Sequence, residues 1–219
     1  MPEPPILYSF RRCPYAMRAR LAIDASAIAC ELREITLRDK PVEMVRASPK
    51  ATVPVLIDEE GRVIDESLEI MTWALRRHDP EHWLKPERGD VNEMLSLIER
   101  FDTDFKGHLD RYKYPRRFAD ADPAFSRSEA SRMLTELEDR LRGAPFLFGA
   151  RAALADLAIA PFVRQFANVD SAWFNQQSWT QLAGWLGAIV SSPRFIRIMR
   201  PLKPWVPGTL GVRFPFERE

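Results

Sequence analysis

The sequence predicts two domains of different class, an α/β domain followed by an all-helical one, and three observations carry that prediction. At 219 residues the chain is long enough for two small units, since domains commonly hold about 100 to 200 residues. The opening third alternates short β-like runs with helical patterns, whereas the remainder shows helical periodicity alone. Between the two, the segment from Arg77 to Gly89 holds Pro80 and Pro86 among charged residues and interrupts both periodicities. The expected organisation is therefore an α/β domain over residues 1–79, a linker over 80–88, a helical domain over 89–200 and an extended tail over 201–219.

Each element has a local reason. Ile6 to Phe10 is a compact apolar run, and Pro14 then opens a helix that carries Met17, Leu21, Ala25 and Ile28 at helical spacing. Glu31 to Leu37 alternates in the manner of a strand, and a short helix begins at Pro41, which completes a βαβ unit. Val53 to Asp58 and Arg62 to Asp65 flank Glu59, Glu60 and Gly61, the signature of a hairpin, and Leu68, Met71 and Leu75 start a further helix. Beyond the linker, Val91, Met94, Leu95, Ile98, Phe105 and Leu109 form one apolar stripe and Ala130, Leu134, Leu137 and Leu141 a second, a pair expected to pack antiparallel. Leu154, Leu157, Phe162 and Phe166 mark a third helix, Trp179, Leu182, Leu186 and Ile189 a fourth, and Pro193 opens a short fifth. The tail has four prolines and no periodicity.

Composition narrows the function. Lys plus Arg (32) almost balances Asp plus Glu (31), so no global field draws the chain to nucleic acid or to an anionic membrane. No apolar run approaches the roughly 18 residues of a membrane span, and the Pro-rich start, with Glu3, lacks the character of a signal peptide. Two cysteines, Cys13 and Cys30, cannot make a disulfide scaffold and fit a reducing, cytoplasmic setting.

Of the two, Cys13 has the chemically distinctive position, between a strand and a helix whose first turn Pro14 preorganises. A free thiol has a pKa of about 8.5, and the positive end of a helix lowers it by favouring the thiolate. Cys30, after the first helix in Ala27-Ile28-Ala29-Cys30, has no such setting and reads as a structural residue.

Three fragments, spaced as they are, carry a resemblance: Tyr8-Ser9-Phe10-Arg11-Arg12-Cys13-Pro14-Tyr15-Ala16, Thr52-Val53-Pro54-Val55-Leu56 and Asp65-Glu66-Ser67. Together with the all-helical second half, they resemble the cytosolic glutathione transferases, and Cys13-Pro14-Tyr15-Ala16 is most similar to the omega and glutaredoxin-like members. The resemblance implies a thioredoxin-like N-terminal domain of order βαβαββα, an all-α C-terminal bundle, glutathione as co-substrate and a homodimer. It also implies roles for named residues. Cys13 forms a mixed disulfide with glutathione, Val53 before a cis Pro54 offers its backbone to the cysteinyl part, Glu66 and Ser67 hold the γ-glutamyl carboxylate, and Lys40 points at glutathione. Read alone, Lys40 is a solvated surface charge and Glu66-Ser67 a plain helix start. One departure stands out: where the family places Ser or Thr to cap a buried helix, this chain reads Ala153-Leu154-Ala155-Asp156. Loss of such a cap costs about 1 kcal/mol and leaves function untouched, with Asp156 expected to accept backbone N–H groups nearby.

Other features are discounted. His78 and His82 are separated by Pro80, which breaks the helix that would align them, so no metal site is expected. Lys113-Tyr114-Pro115-Arg116-Arg117 reads as a solvated turn or the rim of an anionic-substrate site rather than a nucleic-acid patch. Trp173, Trp179 and Trp185 read as core, while Trp205 and Phe214 are candidates to cover a substrate cleft and Tyr112, Tyr114 and Phe118 to border it. With Ala16 where a dithiol protein has its second cysteine, the expected activity is monothiol, glutathione-dependent thiol transfer or mixed-disulfide reduction. Conjugation of glutathione to electrophiles is the alternative within the fold, and a non-catalytic glutathione-binding or interaction protein the alternative outside enzymes.

Overall fold

The computed structural model describes residues 3–217, which form two compact units: the described parts of 1–81 and 192–219 make the first, and 82–191 the second. The first unit is built on a five-stranded sheet of order β4-β3-β1-β2-β5, with β1 (Ile6–Ser9), β2 (Cys30–Glu34), β3 (Val55–Ile57), β4 (Val63–Ile64) and β5 (Val212–Phe214). β1 and β2 run parallel and the other neighbours antiparallel. The crossover between β1 and β2 is α1 (Pro14–Ser26), α2 (Val42–Ala47) lies between β2 and β3, and α3 (Ser67–Arg77) follows β4. This is the expected βαβαββα order with one strand more.

Strand alternation divides the sheet cleanly. Leu7 pairs with Leu32 and Leu56 on one face, all buried, while Tyr8 pairs with Arg33 and Val55 on the other. On that second face Tyr8, Ile35, Val53 and Val55 close around Met44 of α2, with Phe10, Cys13 and Trp205 packed at the margin.

The fifth strand comes from the tail, which is extended as its prolines require and adds to the open edge of β2. Cys30 pairs with Phe214 and Leu32 with Val212, and the Trp205 N–H donates to the Glu34 carbonyl at 2.7 Å. Gly211 makes the approach possible: a Cβ there would lie 2.6 Å from the Leu32 carbonyl oxygen. Phe214 is consequently buried in this unit beside the Phe216 ring. It does not stand over a cleft.

The sequence reading carries the helical domain to residue 200, but the last helix, α10 (Pro193–Ile198), groups with the first unit. Charge explains the grouping. Asp24 of α1, itself buried, accepts from Arg194 at 3.0 Å and from Arg197 at 2.8 and 2.6 Å. Deeper in, Arg20 has no solvent exposure and donates to the Ser9 hydroxyl (2.8 Å), the Ile198 carbonyl (3.0 Å) and the Glu34 carboxylate. Glu34 also takes the Arg11 backbone N–H at 2.7 Å. Burial pushes the Arg20 guanidinium down from its ordinary value and Glu34 opposes the shift; an arginine stays cationic regardless.

The second unit contains α4 (Val91–Arg100), a π turn (Phe101–Phe105) leading directly into α5 (Lys106–Lys113), then α6 (Pro123–Leu141), α7 (Leu154–Ala167), α8 (Ser171–Asn175) and α9 (Thr180–Val190). The single stripe expected from Val91 to Leu109 is thus two helices joined by a π turn. Asp90, Asp122 and Asp170 cap α4, α6 and α8. Trp179, which precedes α9, supplies no cap, and buried Glu138 of α6 accepts from the Gln181 and Leu182 N–H groups instead. The segment expected as a linker is packed rather than loose: Trp83 is 1% exposed, and Glu87 and Arg88 donate to the Phe148 carbonyl. Among the described residues, no helix is long and apolar enough to cross a membrane.

Ala153 stands at the start of α7 without a side-chain cap, as its composition requires. Asp156 makes up the loss by accepting the Ala153 N–H (2.9 Å), the Leu147 N–H (2.9 Å) and the Trp185 indole N–H (2.8 Å). Burial nonetheless pushes its carboxyl up to about 6, against the pull of those three donors.

Two stability predictions follow from these buried charges. Glu34→Leu leaves the Arg20 cation buried without its counter-charge and should lower unfolding stability by about 3–5 kcal/mol, whereas the double variant Arg20→Met/Glu34→Leu should recover much of the loss in urea denaturation. At Asp156 a folded-state pKa above the unfolded value of 3.8 means that the native state binds the proton more tightly. Its contribution is therefore full below pH 3.8 and lost as pH rises to about 6. Urea unfolding of wild type and Asp156→Asn should show the wild-type advantage shrinking as pH rises from 3.8 to about 6, by about 3 kcal/mol at most; an unchanged difference contradicts the assignment.

Candidate active site

The chain leaves β1 at Ser9 and turns tightly, the Cys13 N–H donating to the Phe10 carbonyl at 2.9 Å, before α1 begins at Pro14. Cys13 is thereby the residue that caps α1, in extended conformation (φ −80°, ψ 123°), with Pro14 at the first helical position. Proline is suited to that place because its φ is already helical and its missing N–H has no partner to lose. Cys13 makes no side-chain hydrogen bond to the first turn, but as the capping residue it stands at the positive end of α1.

Opposite Cys13 lies the segment before β3. The Val53-Pro54 peptide is cis, and Val53 and Pro54 are both buried. The Cys13 thiol donates to the Val53 carbonyl, Sγ to O 3.6 Å. A nucleophile candidate and the backbone of the segment before β3 are brought together across 40 residues of sequence by the β1–β3 pairing.

Glu66 and Ser67 form the start of α3, Glu66 as the capping residue and Ser67 as the first helical one. Their surroundings are charged. Ser48 donates to Asp65 at 2.6 Å, and Lys50 bridges Asp65 (3.0 Å) and Glu66 (2.6 Å). The Ser48 hydroxyl and the Lys50 ammonium hold the Asp65 carboxyl below its usual range. On the inner side, Arg18 of α1 donates its Nε–H to the Ser67 hydroxyl oxygen at 3.0 Å, and both residues are buried, 2% and 3% exposed.

Of the residues singled out from sequence, the structure brings together Cys13, Val53 and Pro54, and links Ser67 to the helix that Cys13 caps. Lys40 is exposed in the loop before α2, and no hydrogen bond or ion pair joins it to the others. The lysine that meets the Asp65-Glu66 pair is Lys50, which the sequence reading passed over. Arg18 was passed over too, although a signal existed: Arg18 and Arg20 are about 200° apart around a helix at 100° per residue, so no single solvent face accommodates both.

Cys30 is excluded from this chemistry. It lies buried on β2, and burial pushes its thiol up to about 12. His78 Nδ1 is occupied with the Ser26 carbonyl at 2.7 Å. Trp205 lies against the same side of the sheet as Cys13, its ring 4.3 Å from the Arg33 guanidinium and edge-on to Tyr8, whose hydroxyl takes an Arg33 hydrogen bond at 2.7 Å. In the helical unit the aromatic residues expected to border a second substrate each lie under a cation: Arg127 over Tyr112, Arg117 over Tyr114 and Arg111 over Phe118. Trp179 and Trp185 are core, while Trp173 is half-buried and stacked by Arg127.

Comparison with known proteins identifies the family. The sequence matches the family described as "Glutathione S-transferase, N-terminal domain" over residues 7–82 and "Glutathione S-transferase, C-terminal domain" over residues 97–188. It is 26% identical to glutathione S-transferase omega-1 of Sus scrofa over 191 residues, covering 85% of this chain and 77% of that protein. It is 28% identical to the pyrimidodiazepine synthase of Drosophila melanogaster over 199 residues, again 85% and 77% of the two chains. Among solved structures, a glutathione transferase family member from Pseudomonas fluorescens pf-5, crystallised with two glutathione bound, superposes with a TM-score of 0.77 at 19% identity, over 91% of this chain and 93% of that one.

Proposed function

The chain belongs to the glutathione S-transferase family, and from that premise we propose that it is a cysteine-type member, a glutathione-dependent thiol transferase with Cys13 as nucleophile. The observation that carries this reading is the placement of Cys13 as the capping residue of α1 with its sulfur 3.6 Å from the Val53 carbonyl. A serine or tyrosine would be the natural donor to a glutathione thiolate in a conjugating enzyme; a thiol is a poor hydrogen-bond donor and a strong nucleophile once ionised. The similarity to an omega-1 transferase supports the same reading.

In this mechanism the Cys13 thiolate, favoured by the positive end of α1, attacks the glutathione sulfur of a mixed disulfide RS–SG. The S–S bond breaks, Cys13–S–SG forms, and RS⁻ leaves and takes a proton. The thiolate of a second glutathione then attacks the glutathione sulfur held on Cys13, which releases oxidised glutathione and restores the Cys13 thiolate. One disulfide is reduced and one formed, so RSSG and GSH give RSH and GSSG with electrons balanced. Resolution by the protein itself is ruled out by chemistry: residue 16 is alanine, and Cys30 is buried with its thiol held protonated. Val53 offers its backbone to the cysteinyl part of glutathione, and Glu66 and Ser67 hold the γ-glutamyl end at the start of α3. Lys40, exposed in the loop before α2, is directed at glutathione, while Lys50 fixes Asp65 and Glu66. The protein acts as a cytoplasmic homodimer in this reading.

Cys13→Ser separates the two chemistries of the fold. A serine hydroxyl is scarcely ionised at neutral pH and cannot form the disulfide intermediate, so reduction of a glutathione mixed disulfide should vanish while glutathione binding persists. The same hydroxyl donates a hydrogen bond to a bound thiolate, so conjugation of a chloroaromatic electrophile should persist or rise. Assays of both activities on both proteins check this; a serine variant that loses conjugation and keeps thiol transfer overturns the mechanism.

A further inference from the structure

The bond from the Cys13 N–H to the Phe10 carbonyl closes a turn with Arg11 and Arg12 at its tip, so two arginines stand immediately before the nucleophile. They are used differently. Arg11 is tied inward, its backbone N–H to the Glu34 carboxylate at 2.7 Å and its guanidinium to the Met199 carbonyl at 3.2 Å. Arg12 is exposed, and its guanidinium lies over the Phe10 ring, 5.4 Å from the centroid. Phe10 is half-buried and packs against the same apolar cluster as Cys13. A guanidinium resting on an aromatic face keeps its N–H edge available for an anion, and among the described residues no carboxylate meets Arg12. Glu34, the carboxylate that this turn does reach, is committed to the Arg11 N–H and to Arg20.

We propose that Arg12 is a specificity-determining residue for the departing thiol, and that the preferred substrates are mixed disulfides of glutathione with thiols that carry a carboxylate. In the exchange described above, the glutathione half is common to every substrate and is held along Val53 and the start of α3. Substrates differ in the thiol that leaves. The bonds made and broken stay the same: the Cys13 thiolate attacks the glutathione sulfur, the S–S bond breaks, and the departing thiolate takes a proton. Arg12 adds a charge-assisted hydrogen bond to the carboxylate of that departing half, from a residue adjoining the nucleophile. Its exposed charge also draws anionic substrates toward the turn, an attraction that salt screens. The inference rests on the thiol-transferase reading and adds to it the charge of the second substrate.

The test compares the mixed disulfides of glutathione with 3-mercaptopropionate, 2-mercaptoethanol and cysteamine, whose departing thiols carry an anionic, a neutral and a cationic group. Each variant is referred to wild type on the same substrate, which cancels the intrinsic leaving ability of each thiol. In Arg12→Gln, kcat/KM for the mercaptopropionate substrate should fall about 2- to 5-fold, as for one exposed ion pair, while that for the mercaptoethanol substrate stays at the wild-type value. Arg12→Glu should lower the first further and raise the cysteamine substrate, whereas Arg12→Lys, which keeps the charge, should retain the preference. The wild-type preference should shrink from low to high salt, and glutathione affinity measured by calorimetry should be the same in every variant. An equal change on all three substrates, no change on any, or weakened glutathione binding in Arg12→Gln overturns the assignment and leaves thiol transfer standing. Wild type without turnover of any of the three removes the thiol-transferase reading, and the assignment with it.

Discussion

A buried ion pair, Arg20 with Glu34, fixes the helix on which the rest of the site depends. α1 is buried around almost its whole circumference, yet it carries three charges, Arg18, Arg20 and Asp24, that would ordinarily seek water. Each is matched from a different direction: Ser67 for Arg18, Glu34 of β2 and Ser9 of β1 for Arg20, and Arg194 and Arg197 of α10 for Asp24. Buried pairs of this kind add little net stability over apolar packing, but breaking one is severe. Their effect here is positional, since a helix slid or rotated by one residue would strand all three charges at once. The Cys13 sulfur inherits that register from the helix it caps.

The tail serves the same sheet from its other edge. β5 covers β2, and Trp205 covers the Arg33 and Tyr8 side chains that stand beside the Cys13 cluster. An uncovered β2 would present a row of unpaired backbone groups, which natural sheets avoid. Trp205 also lets the Arg33 cation sit on an aromatic face while Glu31 takes its Nε–H at 2.7 Å, so a charged residue is accommodated in the middle of the sheet. The strand and helix that hold the nucleophile are therefore braced by residues from the far end of the chain.

Much of this was legible in the sequence because the signals were local. Pro14 after Cys13, the apolar run of Ile6 to Phe10, the hairpin around Gly61 and the stripes of the helical unit each predicted the element found. What escaped was set by partners distant in sequence. β5 lacks a side-chain pattern because its pairing is made by backbone groups and needs only Gly211 to let the chain approach. α10 reads as a bundle helix, and only the position of Asp24, some 170 residues earlier, assigns it to the other unit. Lys50 meets Asp65 and Glu66 because the turn after Ser48 reaches the end of β4, which spacing alone does not reveal. Buried arginines were missed for a simpler reason: a charge in sequence is taken as a sign of solvent, and α1 reverses that sign by supplying a partner for each.

The account turns on one thiol being reactive and the other inert. The most direct measurement is the intact mass of the folded, reduced protein after incubation with oxidised glutathione, followed by peptide mapping. A single glutathione adduct on Cys13, removed by added glutathione and absent from Cys13→Ser, is the predicted result. No adduct, or an adduct on Cys30 in the folded chain, would contradict it.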